Sequence, residues 1–533
     1  MITCGENLTR LLKAYGIDTA FGIPGVHTVD LYRGFDTSGM THITPRHEQG
    51  AAFMAHGYAM ASGKPAACYL ISGPGILNAL TAMGQAYSDS IPMLVVASNN
   101  QRAELGTGGG FLHETKNQTA AVEQVTAFTH QLLDPVNLDQ TVARCFSVFN
   151  AARPRPVCIE IPRDVLNEPG KSETPVWPAP SRAAPAQAAV AEAAARLAKA
   201  ENPIIILGGG AWEASEEATA LAERLGAPVV CTCAGKGIVA EDHPLALGCA
   251  LPFEPVQDRI KSADVVLTLG SEMSETDQLY TYTRFEIGGD LIRVDIDPEQ
   301  LARSYQPAQA IVADAKLTLA AILAELPETS PDMGKAHSEA EALRRLIDPL
   351  WQPIAADHKP LLDIIRDLLP RDGILVTEST KPGYTSKHYY PCYEPRTLIY
   401  PNGYGTLGAA LPTAIGAKIG APERDIICLA GDGGFLFSIE ELAAAAEQKL
   451  PLPIIVWNNQ AFGEIRDSMV AWGLPRVGVD LQAPDYCKVA EGFGCYSARP
   501  GSLSEVRIAI SQALTADGPT LIEIDANQDW VRG

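Results

Sequence analysis

The chain has 533 residues, of which 46% are hydrophobic and 20% are charged, and its formal net charge is −22. That length exceeds one hydrophobic core, so about three domains are expected. The acidic charge argues against nucleic acid or an anionic membrane surface as a partner, and no apolar run in the sequence reaches the length of a membrane span.

The start of the chain and its cysteines indicate a cellular compartment. No basic segment followed by an apolar run opens the sequence, so no signal peptide is expected. The eleven cysteines are scattered, many lie in apolar runs, and none forms a Cys-x-x-Cys pair. We therefore expect a cytoplasmic protein with reduced cysteines in its core.

Residues 1–166 alternate strand and helix patterns and predict a first α/β domain. Residues 21–25 (Phe-Gly-Ile-Pro-Gly) come before residues 46–50 (Arg-His-Glu-Gln-Gly), which open a helix of small residues. A strand over residues 67–71 then leads into Ser-Gly-Pro-Gly at 72–75 and another helix. Taken alone, the glutamate in the second segment would be an ordinary acid at a helix start.

Two further domains are predicted after a linker. Residues 167–188 are rich in Pro, Ala and Ser, which is typical of a linker. A second α/β domain follows over 189–325, and its first strand runs into the glycines at 208–210, a weak nucleotide-binding signal that we interpret as a structural turn. A charged helical segment leads to a third domain over 355–533. The predicted fold class is α/β with three doubly wound parallel-sheet domains.

The third domain carries the most specific motif. A strand over 425–431 ends in Gly-Asp-Gly-Gly at 431–434, and a second strand over 453–457 ends in Asn458-Asn459. Residues 438–441 (Ser-Ile-Glu-Glu) between them predict a helix that starts with a capping box. The carboxyl ends of parallel strands form ligand sites.

This motif suits a metal–diphosphate site. Mg²⁺ prefers hard oxygen ligands in an octahedral arrangement. The Asp432 carboxylate, the Asn459 side-chain carbonyl and the Ala461 backbone carbonyl could supply three of them. The glycines beside Asp432 let backbone N–H groups approach a diphosphate closely.

Together, these segments resemble the thiamine-diphosphate enzymes of the acetolactate synthase and pyruvate decarboxylase group over essentially the whole chain. The resemblance implies thiamine diphosphate and Mg²⁺ as cofactors, with a pyrimidine-binding domain at 1–166, a central Rossmann-like domain at 189–325 and a diphosphate-binding domain at 355–533.

The same resemblance assigns residues to the cofactor. It implies that Glu48 bonds N1′ of the aminopyrimidine ring, that the Gly405 carbonyl accepts from the 4′-amino group, and that Leu407 wedges between the two rings. Simple core packing is the alternative for Leu407. The other residues that it places at the cofactor are Pro24, Gly25, Gly73, Ser379, Thr380, Asp432, Gly433, Gly434, Asn459, Gly463, Glu464 and Ile465.

The reaction that the resemblance implies is non-oxidative decarboxylation of a 2-oxo acid to an aldehyde and CO₂. Releasing the aldehyde requires an acid, and an imidazole titrates near neutral pH, so His113 is the first candidate and His27 the second. The alternative for each is a loop or core histidine.

Several stretches also resemble decarboxylases of 5-guanidino-2-oxopentanoate; they are residues 21–32, 44–50, 111–114 and 457–465. A guanidinium group prefers carboxylate partners. The candidates are Glu114, Glu464 and Asp467, with a solvated helix face as the alternative.

Two other functions stay open: a carboligase that forms acetolactate from pyruvate, and a non-catalytic protein that serves binding or regulation. Acetolactate synthases carry Gln where His113 stands and usually Met where Leu407 stands. Residues 283–287 do not match the flavin-binding run of those enzymes, so FAD is not expected. In the family, the domains that carry Glu48 and Asp432 meet across a subunit interface, so a homodimer or homotetramer is expected.

Overall fold

A computed structural model describes residues 2–173, 175–278, 284–328 and 331–532. Three sheets, in which every strand pair is parallel, are flanked by helices and build the described part of the chain. The predicted α/β class with three parallel sheets is confirmed.

The first sheet is six-stranded, in the order β2-β1-β3-β4-β6-β5. Its strands are β1 (Thr19–Gly22), β2 (Thr41–Ile43), β3 (Ala67–Leu70), β4 (Met93–Asn99), β5 (Phe128–Gln131) and β6 (Pro156–Pro162). The helices around it are α1 (Cys4–Ala14), α2 (Phe35–Ser38), α3 (Glu48–Ser62), α4 (Pro74–Ser88), α5 (Gln118–Glu123), α6 (Leu138–Ala151) and α7 (Arg163–Leu166).

The second sheet is five-stranded, in the order β11-β10-β9-β7-β8. Its strands are β7 (Ile204–Leu207), β8 (Val229–Cys231), β9 (Val265–Leu269), β10 (Asp290–Asp295) and β11 (Gln309–Val312). Its helices are α8 (Gln187–Leu197), α9 (Ser215–Leu225), α10 (Glu254–Ser262), α11 (Pro298–Leu301) and α12 (Ala315–Glu325).

The third sheet is six-stranded, in the order β13-β12-β14-β15-β17-β16. Its strands are β12 (Ile374–Thr377), β13 (Leu398–Ile399), β14 (Ile426–Gly431), β15 (Pro453–Asn458), β16 (Tyr496–Ala498) and β17 (Thr520–Asp525). Its helices are α13 (Met333–Ala355), α14 (Lys359–Leu368), α15 (Lys381–Tyr389), α16 (Ala410–Gly420), α17 (Asp432–Phe435), α18 (Leu442–Glu447), α19 (Gly463–Ala471), α20 (Tyr486–Gly492) and α21 (Leu503–Leu514).

The first and third sheets have the same strand order when each is counted from its own first strand. Helices α3 and α16 therefore occupy equivalent places, each between the second and third strands of its sheet. They pack on each other at glycines: a Cβ on Gly57 would lie 1.9 Å from the Thr413 carbonyl oxygen, and one on Gly416 would lie 1.8 Å from that of Met54. Only glycine permits this backbone approach.

The hydrophobic cores follow this arrangement. One buried cluster combines α3 and α4 of the first domain with α16 and the inner strands of the third, so the outer domains share apolar packing. All eleven cysteines are free, and ten of them are buried. Among the described residues, no helix has both the length and the apolar character that a membrane span requires.

Candidate cofactor site

The predicted metal ligands come together at the carboxyl ends of β14 and β15. These strands are parallel neighbours, with Gly431 opposite Trp457. Asp432 is buried, and its Oδ2 accepts a hydrogen bond from the Ala461 backbone N–H at 3.3 Å. The Asn459 Oδ1 accepts from the same N–H at 3.1 Å. Two hard side-chain oxygens thus face one backbone turn, which fits the donor set that Mg²⁺ prefers.

The turn between these ligands has an unusual backbone. Gln460 has a φ of 54°, in the left-handed region that residues other than glycine seldom adopt. This conformation lets the loop fold back so that Ala461 meets both Asp432 and Asn459. Burial raises the pKa of the Asp432 carboxyl, while backbone N–H donors lower it. A bound cation would favour the ionised carboxylate.

Glycines at this turn make room for specific neighbours. A Cβ on Gly434 would lie 2.1 Å from Oε1 of Glu378, and a Cβ on Gly433 would lie 2.6 Å from the Phe462 ring. A Cβ on Gly463, the first residue of α19, would lie 2.5 Å from Nδ2 of Asn459. Glycine at positions 433, 434 and 463 therefore leaves room for the side chains of Phe462, Glu378 and Asn459.

Glu378 follows β12 and connects two loops of the predicted site. Its side chain is buried, and its Oε2 accepts hydrogen bonds from the backbone N–H groups of Gly408 at 2.7 Å and Ala410 at 3.3 Å. It thereby binds the start of α16 while its Oε1 lies against the turn at Gly434. Burial raises the pKa of this carboxyl to about 7, although the N–H donors lower it.

The raised pKa of Glu378 predicts a pH-dependent stability. A carboxyl whose pKa rises on folding stabilises the folded state fully below its unfolded pKa, and that contribution is lost as the pH rises through about 7. The loss is about 3 kcal/mol at most. We expect the melting temperature of the cofactor-free wild type to fall relative to Glu378→Gln between pH 5 and pH 8.

Differential scanning fluorimetry over that pH range provides the measurement. Glu423→Gln is the matched control, because Glu423 belongs to the same domain but is exposed. A difference between the wild type and Glu378→Gln that stays constant with pH would contradict the expectation.

The loop with Gly405 and Leu407 is bound from two sides. The Ser379 hydroxyl donates to the Gly405 carbonyl at 2.9 Å, which leaves that oxygen one further acceptor position. From the first domain, Oε1 of Gln85 accepts from the Thr406 hydroxyl at 2.8 Å. Leu407 is half-buried and lies outside the buried core clusters of the described residues. Packing in the core of this chain therefore does not account for it.

Thr380, also predicted at the cofactor, is the buried N-terminal cap of α15. Its Cβ lies 3.1 Å from the position that a Cβ on Gly431 would occupy. Thr380 and Ser379 therefore lie beside the strand end that leads into Asp432.

Glu48 is the first residue of α3 and is half-buried. Its Oε2 accepts a hydrogen bond from Nδ2 of Asn78 at 2.9 Å. Its Oε1 lies 3.4 Å from the position of a Cβ on Gly75. The Ile71 side chain lies next to both glycines: it would contact a Cβ on Gly75 and a Cβ on Gly25. Glu48 and the predicted residues Pro24 and Gly25 thus lie close together at the ends of β1 and β3. Pro24 is exposed.

The two candidate acids lie side by side. The rings of His27 and His113 have centroids 4.9 Å apart, and Nδ1 of His27 lies 2.9 Å from the Ser72 hydroxyl. Burial lowers the pKa of His27, and the nearby His113 and Arg163 lower it further. His113 has a φ of 61°, and its buried Nδ1 has no hydrogen-bond partner in the part of the chain that the structure describes.

The backbone near His113 is held by its surroundings. A Cβ on Gly73 would lie 2.7 Å from the His113 carbonyl oxygen, and the Gly73 N–H donates to Oε1 of Gln118 at 2.9 Å. The Asn100 side chain donates to the Leu112 carbonyl at 2.9 Å. These contacts hold the backbone at and before His113, a residue whose φ lies in the left-handed region.

The three carboxylates predicted for a cationic substrate differ in their surroundings. The Glu114 carboxylate accepts from three backbone N–H groups, those of Gly108 at 2.9 Å, Gly110 at 2.8 Å and Phe111 at 3.1 Å. It orders its own loop, and we leave it out of the proposed substrate pocket. Glu464 and Asp467 instead lie on the exposed side of α19.

Glu464 and Asp467 share one cation. The Lys381 Nζ lies 2.8 Å from Oε2 of Glu464 and 3.0 Å from Oδ2 of Asp467. The side chains of the two acids are 51% and 49% exposed. A pair of carboxylates around one ammonium is the arrangement that a cationic ligand group would need.

The predicted capping box at residues 438–441 is wrong. Ser438 caps no backbone N–H, and its buried hydroxyl has no partner among the described residues. Residues Ile439–Glu441 form a 3-10 helix instead. The Glu441 carboxylate turns away to the first domain and binds the backbone beside Glu48. The spacing of Ser438 and Glu441 suggested a capping box, but the Glu441 side chain binds residues that are distant in sequence instead.

The predicted site residues form two groups within one chain. The first surrounds Glu48, His27 and His113, and the second surrounds Asp432 and Asn459. No hydrogen bond or ion pair within the described residues joins the two groups directly. Sequence reasoning did not single out Glu378 and Glu441 as individual functional residues. Glu378 lies at a strand end, and Glu441 is an acid next to an alanine-rich helix, but neither signal is specific.

A cavity of about 430 Å³ lies elsewhere, at the carboxyl ends of β7, β9 and β10. Gly209, Gly210, Gly270 and Asp295 line it, together with residues from the outer domains. Neither Glu48 nor Asp432 contributes to it. The prediction that FAD is absent rests on residues 283–287. The structure describes residues 284–287, whereas Thr283 lies outside the described residues. The absence of FAD stays a prediction.

Family models match three successive parts of the chain. They describe the thiamine pyrophosphate enzyme N-terminal TPP-binding domain at residues 2–123, the central domain at 190–322, and the C-terminal TPP-binding domain at 381–524. The two TPP-binding matches contain the groups around Glu48 and Asp432.

Curated relatives match nearly the whole chain. The probable 2-ketoarginine decarboxylase AruI of Pseudomonas aeruginosa is 45% identical over 98% of this chain and 94% of its own length. The acetolactate synthase isozyme 1 large subunit of Escherichia coli is 30% identical over 98% and 93%. An X-ray structure described as a thiamin diphosphate-dependent enzyme of Mycobacterium smegmatis has a TM-score of 0.83 at 23% identity, covers 98% of this chain and 99% of its own, and bears on the fold.

Proposed function

Because the chain belongs to the thiamine pyrophosphate enzyme family, we propose that it is a thiamine-diphosphate- and Mg²⁺-dependent decarboxylase of 5-guanidino-2-oxopentanoate or a 2-oxo acid with a similar side chain. Its products would be an aldehyde and CO₂. The observation that carries the proposal is the 45% identity to a 2-ketoarginine decarboxylase along almost the full length of both chains.

The residues at the ends of β14 and β15 fit the metal and the diphosphate. Asp432 and Asn459 would hold Mg²⁺ together with the Ala461 carbonyl, and a diphosphate bound beside them would supply further oxygens to the metal. When bound, thiamine diphosphate supplies the electron sink that lets CO₂ leave a 2-oxo acid. The protein supplies orientation and proton transfers around it.

Glu48 would hold a proton at N1′ of the aminopyrimidine ring, and Asn78 keeps its carboxylate oriented through the 2.9 Å hydrogen bond. His113 would deliver the proton that releases the aldehyde. Its neighbour His27, whose pKa is lowered by burial, would stay neutral near pH 7 and could exchange a proton with it.

Glu464 and Asp467 would receive the guanidinium end of the substrate. In the free chain both are bound to Lys381, and Asp467 also binds the Arg466 guanidinium at 3.1 Å. A cationic substrate would therefore have to displace these cations or share the carboxylates with them. A planar guanidinium can bond two carboxylate oxygens at once, whereas an ammonium acts as a point charge. That difference favours the substrate over the lysine.

Charge changes at this carboxylate pair should separate substrates. We expect Glu464→Gln with Asp467→Asn to raise KM for 5-guanidino-2-oxopentanoate by about tenfold or more, because two charge-assisted bonds are lost. KM for the uncharged 2-oxopentanoate should change little. Steady-state CO₂ release gives both values.

Lys381→Met is the complementary variant, since it removes the competing ammonium. It should lower KM for the guanidino acid or leave it unchanged. An equal rise of KM for both substrates in the carboxylate variant would contradict a role in recognising the cation.

We also propose a homodimer, or a homotetramer made of dimers, with each active site formed at a subunit interface. The two site groups within one chain are not directly bonded, and each has exposed apolar residues beside it. Val26, Leu77 and Leu112 flank the first group, while Phe437 and Ile465 flank the second. Such patches are typical of protein interfaces, and sedimentation equilibrium would measure the assembly.

The second candidate is a carboligase that forms acetolactate, favoured by the 30% identity to an acetolactate synthase. One experiment separates the two. Purified protein with thiamine diphosphate and Mg²⁺ is given 5-guanidino-2-oxopentanoate or pyruvate, and CO₂, aldehyde and acetolactate are measured. Stoichiometric aldehyde from the guanidino acid supports the decarboxylase, whereas acetolactate from pyruvate would replace it with the carboligase.

A further inference from the structure

Glu441 is a buried carboxylate that reaches from the third domain to the first. Its side chain is 0% exposed. Its Oε1 accepts from the backbone N–H groups of Arg46 and His47, each at 3.0 Å, and its Oε2 accepts from the Arg46 N–H at 3.1 Å. These residues immediately precede Glu48, although about four hundred residues of chain separate them from Glu441.

The bonded N–H groups belong to the entry of α3. His47 is the residue before the helix, and its Nδ1 accepts from the Gln49 N–H at 3.1 Å. The first N–H groups of a helix have no partner inside it, and a negative charge near them is favourable. Burial raises the pKa of the Glu441 carboxyl to about 7, although the N–H groups of Arg46 and His47 lower it. Above that pH the carboxylate binds the helix entry through charge-assisted hydrogen bonds, which are stronger than neutral ones.

The packing at this contact leaves little room for movement. A Cβ on Gly50 would lie 2.1 Å from Oε1 of Glu441, so the first turn of α3 rests directly on the carboxylate. Glu48 stands between His47 and Gly50 in the same turn. A shift of the Glu441 carboxylate would therefore move the backbone that carries Glu48.

We propose that Glu441 is a positioning residue for Glu48: it fixes the entry of α3 and with it the place of the Glu48 carboxylate relative to the cofactor. The inference rests on the proposed function, because it requires Glu48 to act on thiamine diphosphate. Glu441 itself touches the backbone of Arg46, His47 and Gly50 and acts only through them. Misplacing a catalytic group by about 1 Å can cost about 10²-fold in rate.

Two measurements on Glu441→Gln test the proposal. The first is hydrogen exchange of the Arg46 and His47 backbone amides in the cofactor-free protein, read by mass spectrometry of peptides that cover the entry of α3. Glutamine offers one acceptor oxygen and no charge, so we expect these amides to exchange about tenfold faster or more.

The second measurement is hydrogen–deuterium exchange at the thiazolium C2 of bound thiamine diphosphate without substrate. We expect Glu441→Gln to slow it by about 10²-fold while the affinity for the cofactor changes far less. Because both residues act as one unit, the double variant with Glu48→Gln should lose little more than Glu48→Gln alone.

Glu447→Gln is the matched control. Glu447 binds the exposed guanidinium of Arg46 from the same part of the third domain, but it does not touch the backbone at the entry of α3. It should leave both kinds of exchange near the wild-type values. Wild-type C2 exchange in Glu441→Gln, or equal losses in both variants, would overturn the proposal.

The outcomes also separate this proposal from the proposed function. If Glu48→Gln leaves C2 exchange unchanged, the role of Glu48 fails, and the inference fails with it. If Glu48→Gln slows C2 exchange and Glu441→Gln does not, only the inference fails. If Glu441→Gln does not fold, hydrogen exchange of the wild type still tests the proposal. Fast exchange of the Arg46 and His47 amides in the wild type would contradict the hydrogen bonds on which the proposal depends.

Discussion

Glu48→Gln is expected to lower kcat by about 10²- to 10⁴-fold, the range of general acid–base catalysis. Glutamine keeps the size of the side chain and can keep the hydrogen bond from Asn78, but it cannot hold or release a proton. The melting temperature should stay near the wild-type value, because Glu48 is only half-buried. Single-turnover CO₂ release with saturating cofactor measures the loss.

The control for this prediction is Glu123→Gln, a change of an exposed glutamate in the same domain. It should leave kcat unchanged. Activity of Glu48→Gln within about threefold of the wild type would refute the role assigned to this residue, because loss of general acid–base catalysis costs far more.

Asp432→Asn should abolish cofactor retention. The carboxylate is the only formal charge among the three expected Mg²⁺ ligands. Loss of a group that merely orients a metal ligand costs about 10- to 100-fold in affinity, so loss of the ligand charge should cost at least as much. Burial raises the pKa of the Asp432 carboxyl, which means that burying its charge is unfavourable. Asparagine removes that cost, so the cofactor-free variant should be as stable as the wild type.

Isothermal titration with Mg²⁺ and thiamine diphosphate measures the affinity for the cofactor pair. Wild-type affinity in Asp432→Asn would remove Asp432 from the metal site.

Mixing subunits of Asp432→Asn and Glu48→Gln also tests the interface. If each site takes Glu48 from one subunit and Asp432 from its partner, mixed dimers contain one intact site and regain activity, whereas sites within single chains would stay inactive.

Much of the fold could be predicted because the relevant signals are local. The strand predicted over residues 67–71 is one residue shorter as β3, and the one predicted over 453–457 is one residue longer as β15. Apolar runs of this length bounded by glycines and prolines predict buried parallel strands, and alternating helical segments predict the crossovers. The parallel class of all three sheets follows from these two patterns.

The site could be predicted where residues follow strand ends. Asp432 and Asn459 come directly after neighbouring strands, so a parallel sheet brings them together. Glu48 and His113 depended on the family resemblance, because nothing in their local sequence distinguishes them from a helix-start acid or a loop histidine. For His113 the structure adds a backbone φ in the left-handed region and a buried ring nitrogen without a hydrogen-bond partner among the described residues.

The contacts between domains could not be predicted. Ser438 and Glu441 have the spacing of a capping box, and only the packed chain shows that Glu441 bonds to Arg46 and His47. Lys381 likewise carries no sequence signal for its contact with Glu464 and Asp467. Partner choice among residues far apart in sequence depends on tertiary packing, and periodicity does not report it.

The glycine crossing of α3 and α16 limits how this protein could be recombined. Gly57 and Gly416 each place a helix backbone against a carbonyl of the other helix. A chimaera that takes its first domain from one relative and its third from another would have to keep both glycines and the close approach of the two helices. A chimaera that takes both outer domains from one relative and only the central domain from another would keep this helix contact intact.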